Sequence, residues 1–338
     1  MEIRELLNKL QEVLPRGDIL VGYGSSFVRQ TSKIGSEESL RDILIFTNNR
    51  KAFLNRLYES KYISPGRHYF SLLVDPEILY YADMHLSQRF RLKIGIVNTD
   101  RALQRMSDWE NSFYIPGRFQ KPVRLLQCED KVVLDRFERS RAINYESALA
   151  AALLLKSSRF LDRFSISDVF TSLVSLSYLG DVRMGFAENP RKVENIVSAQ
   201  TKELMSIYFP YFAKVGIEQL SETEFACRRR PDDLWLQLPQ AFTRRAVQHV
   251  DPRKSLIATI TRINRRESIN QALIGVGTTG ISKSLQYLAR KVSKRFLYSV
   301  VFCAQYLCII GDNEESSSLF GRGDRGQGSG SHDLPAFP

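Results

Sequence analysis

The first third of the chain alternates between two spacings of apolar residues. Residues 2–14 place leucines near helical spacing, which predicts an amphipathic helix packed on the domain that follows. Short apolar runs bounded by turn residues predict four strands, at 18–23, 42–47, 77–82 and 90–98. Helical spacing returns near 50–60 and 100–108. This alternation in short steps predicts a mixed domain of helices around a small sheet over residues 1–127.

Helical spacing dominates after residue 127. Four helices are predicted, at 141–155, 165–179, 191–206 and 254–273. Ser165 and Asp168 suit a helix start, because a serine oxygen caps free backbone N–H groups and an acid complements the helix dipole. The short apolar pieces from Leu234 to Leu238 predict small strands. A mainly helical, winged-helix-like domain is therefore expected over 128–275.

Residues 281–296 combine an apolar stripe with basic faces. The apolar positions include Leu285, Leu288, Val292 and Phe296, and the basic ones are Lys283, Arg290, Lys291, Lys294 and Arg295. Such a helix lies flat on an anionic bilayer, while the alternative is a solvated helix packed on the protein. Residues 296–310 continue without a charge, but a span needs about 20 apolar residues. A membrane-associating segment is thus predicted at 281–310, followed by a disordered tail at 311–338.

The charge of the chain limits the classes of molecule that are expected to bind it. Its 338 residues carry a net charge of +11 and a pI near 9.5, so nucleotides, nucleic acid or an anionic membrane are expected to bind. This length allows two domains with cores of their own. The four cysteines show neither paired metal spacing nor a disulfide-rich pattern, which fits a reducing compartment and gives no support to a zinc site.

Gly24-Ser25-Ser26 is the first candidate for chemistry, because it is a turn of small residues directly after a predicted strand. Without bulky side chains, backbone N–H groups and hydroxyls approach a phosphate closely. Asp42 begins the next predicted strand, where a carboxylate can hold Mg²⁺ against the same phosphate. The turn and the acid together predict a site for the phosphates of a nucleotide.

Two other phosphate motifs are excluded. Gly22-Tyr23-Gly24 opens like a dinucleotide fingerprint, but Phe27 occupies the position of its third glycine. No Gly-Lys-Ser/Thr follows the turn, so it is not a P-loop. The turn and the acid instead resemble nucleotidyltransferases of the DNA polymerase β type. Those enzymes usually carry a second acid two residues after the first, where this chain has Leu44, so the second acid is expected elsewhere.

Two later blocks resemble one family closely. The first begins with Lys93-Ile94-Gly95 and Trp109, and residues 114–123 then read Tyr-Ile-Pro-Gly-Arg-Phe-Gln-Lys-Pro-Val. The second, residues 176–184, reads Leu-Ser-Tyr-Leu-Gly-Asp-Val-Arg-Met. These strings, in this order, are similar to the mitochondrial phosphatidate cytidylyltransferases, also called the translocator assembly and maintenance family. The similarity covers roughly residues 18–296.

The resemblance implies an enzyme that joins CTP to phosphatidic acid, giving CDP-diacylglycerol and pyrophosphate with Mg²⁺ as cofactor. It implies an α+β chain: a polymerase-β-type nucleotidyltransferase domain, a mainly helical winged-helix-like domain and a C-terminal amphipathic helix. It also implies peripheral binding to the matrix side of the mitochondrial inner membrane and a role in cardiolipin synthesis. No nucleic acid is then expected as a partner, and membrane binding by residues 281–296 is favoured.

The residues and the resemblance together assign individual roles, and those of Lys93, Arg118 and Lys121 depend mainly on the resemblance. The set expected to contact the phosphates of CTP or phosphatidate is Gly24, Ser25, Ser26, Lys93, Arg118 and Lys121. Asp42 is the expected metal ligand and, with Lys93, a catalytic residue. Asp181 is the candidate for the second acid, with a turn residue after Gly180 as the alternative, and Asp83 is the reserve and a second candidate metal ligand. Trp109 and Tyr114 are expected to be core residues.

Three departures from the family pattern leave other functions open. The family usually has Gly-Ser-Gly at 24–26, asparagine at Ala82 and alanine at Pro116. A non-enzymatic, membrane-bound assembly factor would tolerate the altered turn, although the intact Asp42 and Lys93 argue against it. A nucleotidyltransferase acting on RNA or DNA would suit the basic charge, but Leu44 removes one of its acids.

Overall fold

Five strands from the first half of the chain form one mixed sheet in the order β3-β4-β2-β1-β5. A computed structural model describes residues 2–24, 27, 40–87, 91–156, 161–186 and 189–279. The strands are β1 (Ile19–Tyr23), β2 (Arg41–Phe46), β3 (Leu79–His85), β4 (Arg91–Val97) and β5 (Arg124–Gln127). Strands β2 and β4 pair in parallel, and the other neighbours are antiparallel.

Five helices accompany this sheet. They are α1 (Glu2–Val13), α2 (Arg50–Glu59), α3 (Pro65–Leu73), α4 (Thr99–Asp108) and α5 (Tyr114–Phe119). Helix α1 buries Leu6 and Leu10, and Leu14 directly after it is buried in the same core, which confirms the predicted amphipathic helix packed on this part of the chain. Asn98 caps α4 by accepting a hydrogen bond from the Arg101 N–H, so the helix starts directly after β4.

Side chains along the strands alternate between two apolar cores. Leu20, Ile43 and Ile94 belong to the core shared with α1 and α2. Val21 and Leu44 belong to the core shared with α4, α5 and the start of the next helix. Because the strand period is two residues, side chains one position away from the first group project toward the second core. That alternation decides which face of the sheet carries the polar site.

The second half of the chain is mainly helical. Its helices are α6 (Lys131–Lys156), α7 (Ile166–Leu176), α8 (Arg183–Phe186), α9 (Lys192–Tyr208), α10 (Phe212–Val215), α11 (Pro231–Leu236), α12 (Gln240–Arg244) and α13 (Pro252–Thr279). A short sheet has the order β6-β8-β7, from β6 (Leu161–Ser165), β7 (Ile217–Gln219) and β8 (Glu224–Cys227). Helix α6 is buried all round from Ser147 to Leu154, so it forms the centre of the third core.

The structure confirms a mixed α+β chain. Ser165 caps α7 by accepting from the Ser167 N–H, as the sequence predicted. The strands predicted at Leu234–Leu238 are wrong, because this segment is mostly helix α11. Pro231 fits the first turn of that helix, and Asp233 accepts from the backbone N–H of Arg230. Local capping therefore outweighs the apolar character of the segment.

Trp109 is a core residue, as expected. It is fully buried, and its Nε1 donates to Asn144 Oδ1 at 2.8 Å.

The described residues all belong to one compact unit. The predicted boundary between residues 127 and 128 falls inside that unit and stays a prediction, and residues 281–310 and 311–338 lie outside the described part. Within the described part, no helix is long and apolar enough to span a bilayer.

Helix α13 joins the two halves of the chain through polar contacts. Gln271 Nε2 donates to the carbonyl oxygen of Ile78 at 3.1 Å, immediately before β3. One turn earlier on α13, Glu267 is only 8% exposed and lies beside Glu77 and Arg105. Burial, with the negative charge of Glu77, raises the pKa of Glu267 to about 7. The junction therefore favours a protonated Glu267.

This raised pKa predicts a pH-dependent stability. The folded chain holds the Glu267 proton more tightly than the unfolded chain does, so the stabilisation is complete below about pH 4.5 and is lost as the pH rises through about 7. Above pH 7 we expect Glu267→Gln to be more stable than the wild type by up to about 3 kcal/mol. Urea unfolding across about pH 5 to 9 measures this. Exposed Glu203→Gln is the control, and a difference that is constant with pH would contradict the assignment.

Candidate active site

A row of three side chains across the first sheet forms the centre of the site. Strand pairing places Tyr23 opposite Asp42, and Asp42 opposite Lys93. All three project toward the core of α4 and α5, because their strand neighbours Ile43 and Ile94 face the other core. Lys93 Nζ lies 3.6 Å from Asp42 Oδ1, and the two side chains stay 30% and 27% exposed. A carboxylate and an ammonium thus meet within reach of solvent.

Gly24 brings the backbone after β1 against this carboxylate. Its φ of 78° lies in the left-handed region, which glycine adopts without strain. A Cβ at Gly24 would stand 3.2 Å from Asp42 Oδ2, so a larger residue would crowd the acid. The predicted neighbours in the turn, Ser25 and Ser26, lie outside the described residues. The described half of the turn therefore supports the pairing of turn and acid.

Two cations lie over tyrosine rings beside this row. The Arg118 guanidinium stands 4.2 Å from the ring centroid of Tyr23 and 5.7 Å from that of Tyr114. Lys93 Nζ stands 4.4 Å from the ring centroid of Tyr80. The negative face of an aromatic ring attracts a cation, and it does so without neutralising it as a carboxylate would. The positive charge of Arg118 therefore remains available to an anionic ligand.

Several polar atoms here have no hydrogen-bond partner among the described residues. They are the Nε of Arg118 and the buried hydroxyls of Tyr23 and Tyr80, which interact only with each other. Burial raises the pKa of both phenols, so the hydroxyls are neutral donors. Leaving buried polar atoms unpaired costs free energy, and natural proteins usually retain them for a functional reason. Their grouping in one place is typical of a site that a polar ligand completes.

Lys121 forms a second basic centre one turn after Gly117. Its Nζ donates to the Gly117 carbonyl oxygen at 2.6 Å and to Ser177 Oγ at 2.7 Å. The Nζ atoms of Lys121 and Lys192 lie 5.1 and 5.4 Å from the ring centroid of Tyr178. Burial, followed by the charges of Arg118 and Lys192, holds the pKa of Lys121 well below its usual range. The positive field at this point favours an anion.

Arg183 is a site residue that the sequence reasoning missed. Both oxygens of Asp181 accept from its guanidinium, with Nε at 2.9 Å from Oδ1 and 3.1 Å from Oδ2. Arg183 Nη1 also lies 3.4 Å from the hydroxyl of Tyr114. Burial alone would raise the pKa of Tyr114, but the positive charges, chiefly of Arg183 and Arg118, outweigh it and lower that pKa. The i, i+2 spacing of Asp181 and Arg183 was the signal available in the sequence.

These contacts change the interpretation of two predicted residues. Asp181 is 7% exposed and forms an ion pair with Arg183, and no described contact joins it to Asp42. Its assignment as the second acid stays a prediction, while the geometry gives it the role of positioning Arg183. Tyr114 is half-buried between Arg118 and Arg183 and so lines the site as well as packing on the core. The side chain of Asp83 lies outside the described part.

The site as a whole is suited to a polyanion. Five basic side chains gather around the two carboxylates of Asp42 and Asp181: Lys93, Arg118, Lys121, Arg183 and Lys192. Within the described residues, no group of three or more histidine, cysteine or acidic side chains is arranged to hold a metal ion. A ligand that brings several negative charges would balance the basic excess.

Comparison with known proteins identifies the family. The family model for mitochondrial phosphatidate cytidylyltransferase matches residues 3–237. The chain belongs to this family. Three relatives carry the same name. The one from Schizosaccharomyces pombe is 28% identical over 88% of this chain and 85% of its own. The one from Rattus norvegicus is 25% identical over 86% of this chain and 94% of its own. The one from Drosophila melanogaster is 30% identical over 61% of this chain and 67% of its own.

The match covers the whole polar site of this mitochondrial phosphatidate cytidylyltransferase family member. The row through Asp42, the helix α5 with Arg118, and the turn with Arg183 all fall within residues 3–237. Helix α13, which begins at Pro252, lies beyond the matched residues.

The lowered pKa of Lys121 predicts a proton uptake that can be measured without any reaction. A bound polyanion should raise that pKa, so inorganic triphosphate should bind with uptake of a proton. Its affinity should then fall by up to about tenfold per pH unit as the pH rises through the pKa that Lys121 has in the free protein. Calorimetry in two buffers of different ionisation enthalpy reports the uptake.

A matched pair of variants tests the assignment to Lys121. We expect Lys121→Met to lose the proton uptake, whereas Lys214→Met, at an exposed lysine paired with Glu146, should keep it. Unchanged uptake in Lys121→Met would show that another group takes the proton.

Proposed function

We propose that this chain is a phosphatidate cytidylyltransferase that joins CTP to phosphatidate, giving CDP-diacylglycerol and pyrophosphate. The observation that carries the proposal is the Gly24 turn against Asp42, in one row with Lys93 and surrounded by basic side chains. That arrangement suits a triphosphate beside a second phosphate. The family match and the names of the three relatives support the pair of substrates.

The finer description of the fold is part of this proposal. A strand, a glycine turn and an antiparallel strand that carries Asp42 support a nucleotidyltransferase domain of the polymerase β type. From α6 to β8, leaving out the four-residue helices α8 and α10, the second half has the element order α6-β6-α7-α9-β7-β8, and its sheet order is β6-β8-β7. A winged helix has the same succession of helices and strands, with its third strand in the middle. These orders support a winged-helix domain after the first sheet.

The reaction can be written from the substrates. An oxygen of the phosphatidate phosphate attacks the α-phosphorus of CTP, and the bond from that phosphorus to the oxygen bridging the α- and β-phosphates breaks. The pyrophosphate leaves with the electron pair. Because all the reacting groups are anionic, neutralising and orienting them supplies most of the catalysis. Lys93, Arg118 and Lys121 serve this purpose, and Arg183 adds a cation beside Tyr114.

Asp42 also fits the proposed cofactor, Mg²⁺. The ion is usually held by one or two carboxylates together with substrate phosphates, so a single partly exposed acid beside a phosphate site is a suitable ligand. When bound, Mg²⁺ would neutralise charge on the phosphates of CTP. Asp83 stays proposed as the second ligand.

We also propose where the enzyme works. The family is mitochondrial, and the net charge of +11 suits an anionic membrane. Peripheral binding to the matrix side of the inner membrane through residues 281–296 would give access to phosphatidate in the bilayer. The product would then supply cardiolipin synthesis. The membrane residues of that segment, from Lys283 to Phe296, lie outside the described residues.

A direct assay tests the activity. Purified full-length protein is incubated with labelled CTP, Mg²⁺ and vesicles that contain phosphatidate, and the lipid phase is analysed. We expect labelled CDP-diacylglycerol and an equal amount of pyrophosphate. Folded protein that forms no lipid product would favour the assembly factor, and label incorporated into RNA or DNA would favour the nucleic-acid enzyme.

Asp42→Asn should abolish most of the activity. The amide keeps nearly the same size but lacks the charge that attracts Mg²⁺ and Lys93, so turnover should fall by about a hundredfold or more. Asp100→Asn is the control, because Asp100 is an exposed acid paired with Arg136 away from the site. Both variants should melt near the wild-type temperature. Wild-type turnover in Asp42→Asn would remove this residue from the mechanism.

Asp181→Asn separates positioning from metal binding. Losing the partner of Arg183 should lower kcat/KM by about tenfold, and the Arg183→Ala variant should lose little more when Asp181→Asn is added. The Mg²⁺ concentration that gives half-maximal rate should not change. A shift in that concentration would instead support the second acid. Asp168→Asn, at an exposed acid paired with Lys156, is the control.

A further inference from the structure

Large apolar side chains lie exposed along one side of α3. Tyr69 is 67% exposed, Leu72 41% and Leu73 85%. The opposite side of this helix is packed, since Ser71 is fully buried and the Tyr81 hydroxyl donates to its Oγ. Three exposed apolar residues within two turns form a cluster rather than the scattered apolar residues normal on a soluble surface.

Helix α13 exposes a second apolar stripe near its C-terminal end. Ile269, Leu273 and Val276 are 43%, 67% and 40% exposed, and their spacing of four and three residues places them on one face. Ile274, on another face of α13, packs against the core shared with α1 and α2. Toward the N-terminus the exposed stripe continues as basic residues. Arg262, Arg265 and Arg266 line one shallow depression together with Ile269.

The two apolar clusters meet where α3 packs on α13. A Cβ at Gly277 would stand 2.2 Å from Phe70 Cζ, so the glycine lets the phenylalanine ring lie directly on α13. Leu273 lies one turn before Gly277, and Leu73 lies one turn after Phe70. The exposed residues therefore form one surface, the α3–α13 patch: Tyr69, Leu72, Leu73, Ile269, Leu273 and Val276.

Charge decides what covers this patch. Its border carries Arg262, Arg265 and Arg266, and the basic segment 281–296 follows α13 after one residue. The border of the patch and the sequence of that segment are both basic, so one anionic surface attracts both. An apolar centre with a basic border is also the pattern of a protein surface that lies in a membrane interface.

We propose that the α3–α13 patch inserts into an anionic lipid bilayer, as a membrane contact of the folded body beside the one proposed for residues 281–296. The proposal rests on the proposed function in one respect, that the lipid substrate lies in a bilayer. Leu73 and Leu273 insert between the head groups, and the arginines face the lipid phosphates. The helices α3 and α13 then hold the folded body at the membrane surface.

Tryptophan placed in the patch tests insertion directly. Leu73→Trp and, as a matched control, Leu236→Trp on α11 replace leucines that are 85% and 79% exposed. The full-length variants are mixed with vesicles of brominated phosphatidylcholine and phosphatidylglycerol, neither of which is the proposed substrate. We expect quenching beyond the wild-type signal for Leu73→Trp alone. Leu73→Trp protein that sediments with the vesicles without added quenching would overturn the proposal.

Removing the apolar side chains tests their contribution to binding. Leu73→Gln with Leu273→Gln keeps the net charge, and Leu236→Gln is the control. Vesicle affinity should fall by roughly tenfold in the double variant and stay at the wild-type value in the control. Wild-type affinity in the double variant would contradict the proposal. So would a wild type that is a dimer in solution while the double variant is a monomer, since a second copy of the chain would then cover the patch.

The same double variant separates this proposal from the proposed function. Its activity on a soluble short-chain phosphatidate should equal that of the wild type, because the patch does not touch the reacting groups. If the wild type lacks that activity but the tryptophan is quenched, the proposed function is wrong and insertion of the α3–α13 patch is supported. If the activity is present and the tryptophan is not quenched, insertion of the α3–α13 patch is contradicted and the proposed function is supported.

Discussion

The parallel, in-register pairing of β2 and β4 is the constraint on which the site depends. It places Asp42 directly beside Lys93, although 51 positions of sequence separate the two residues. The antiparallel pairing of β1 with β2 then brings the Gly24 turn against the same carboxylate. Because register in a sheet is fixed by which side chains are buried, the apolar core sets the geometry of the polar residues above it.

Gathering so many basic groups in one place costs free energy, and the structure offsets it in two ways. Tyrosine rings lie under Arg118 and Lys93 and stabilise these cations, whereas burial and the nearby charges of Arg118 and Lys192 make Lys121 release its proton more easily. Asp181 holds Arg183 in a fixed orientation through both of its oxygens. The remaining excess of positive charge is balanced only when an anion binds. A site built in this way favours a triphosphate over a neutral ligand.

The surface of the same fold follows a similar logic. The exposed leucines of α3 and α13 come together because Gly277 leaves room for the Phe70 ring. Basic residues border them along α13. Apolar residues that would weaken a purely soluble protein become useful where the substrate is a lipid. In the proposed membrane contact, the folded body and the basic segment that follows it share one anionic partner.

The sequence by itself determined the succession of most helices and strands, the small-residue turn with Asp42, and the family, because apolar period and short motifs are local properties. It misplaced Leu234–Leu238, since a helix start at Pro231 outweighed the apolar pattern there. Only the tertiary structure decided that Arg183 reaches Tyr114 and so joins the site. It alone joined α3 to α13 in one patch. These contacts link residues far apart in sequence, and pairing register, burial and ring packing, which no local pattern encodes, decide which of them meet.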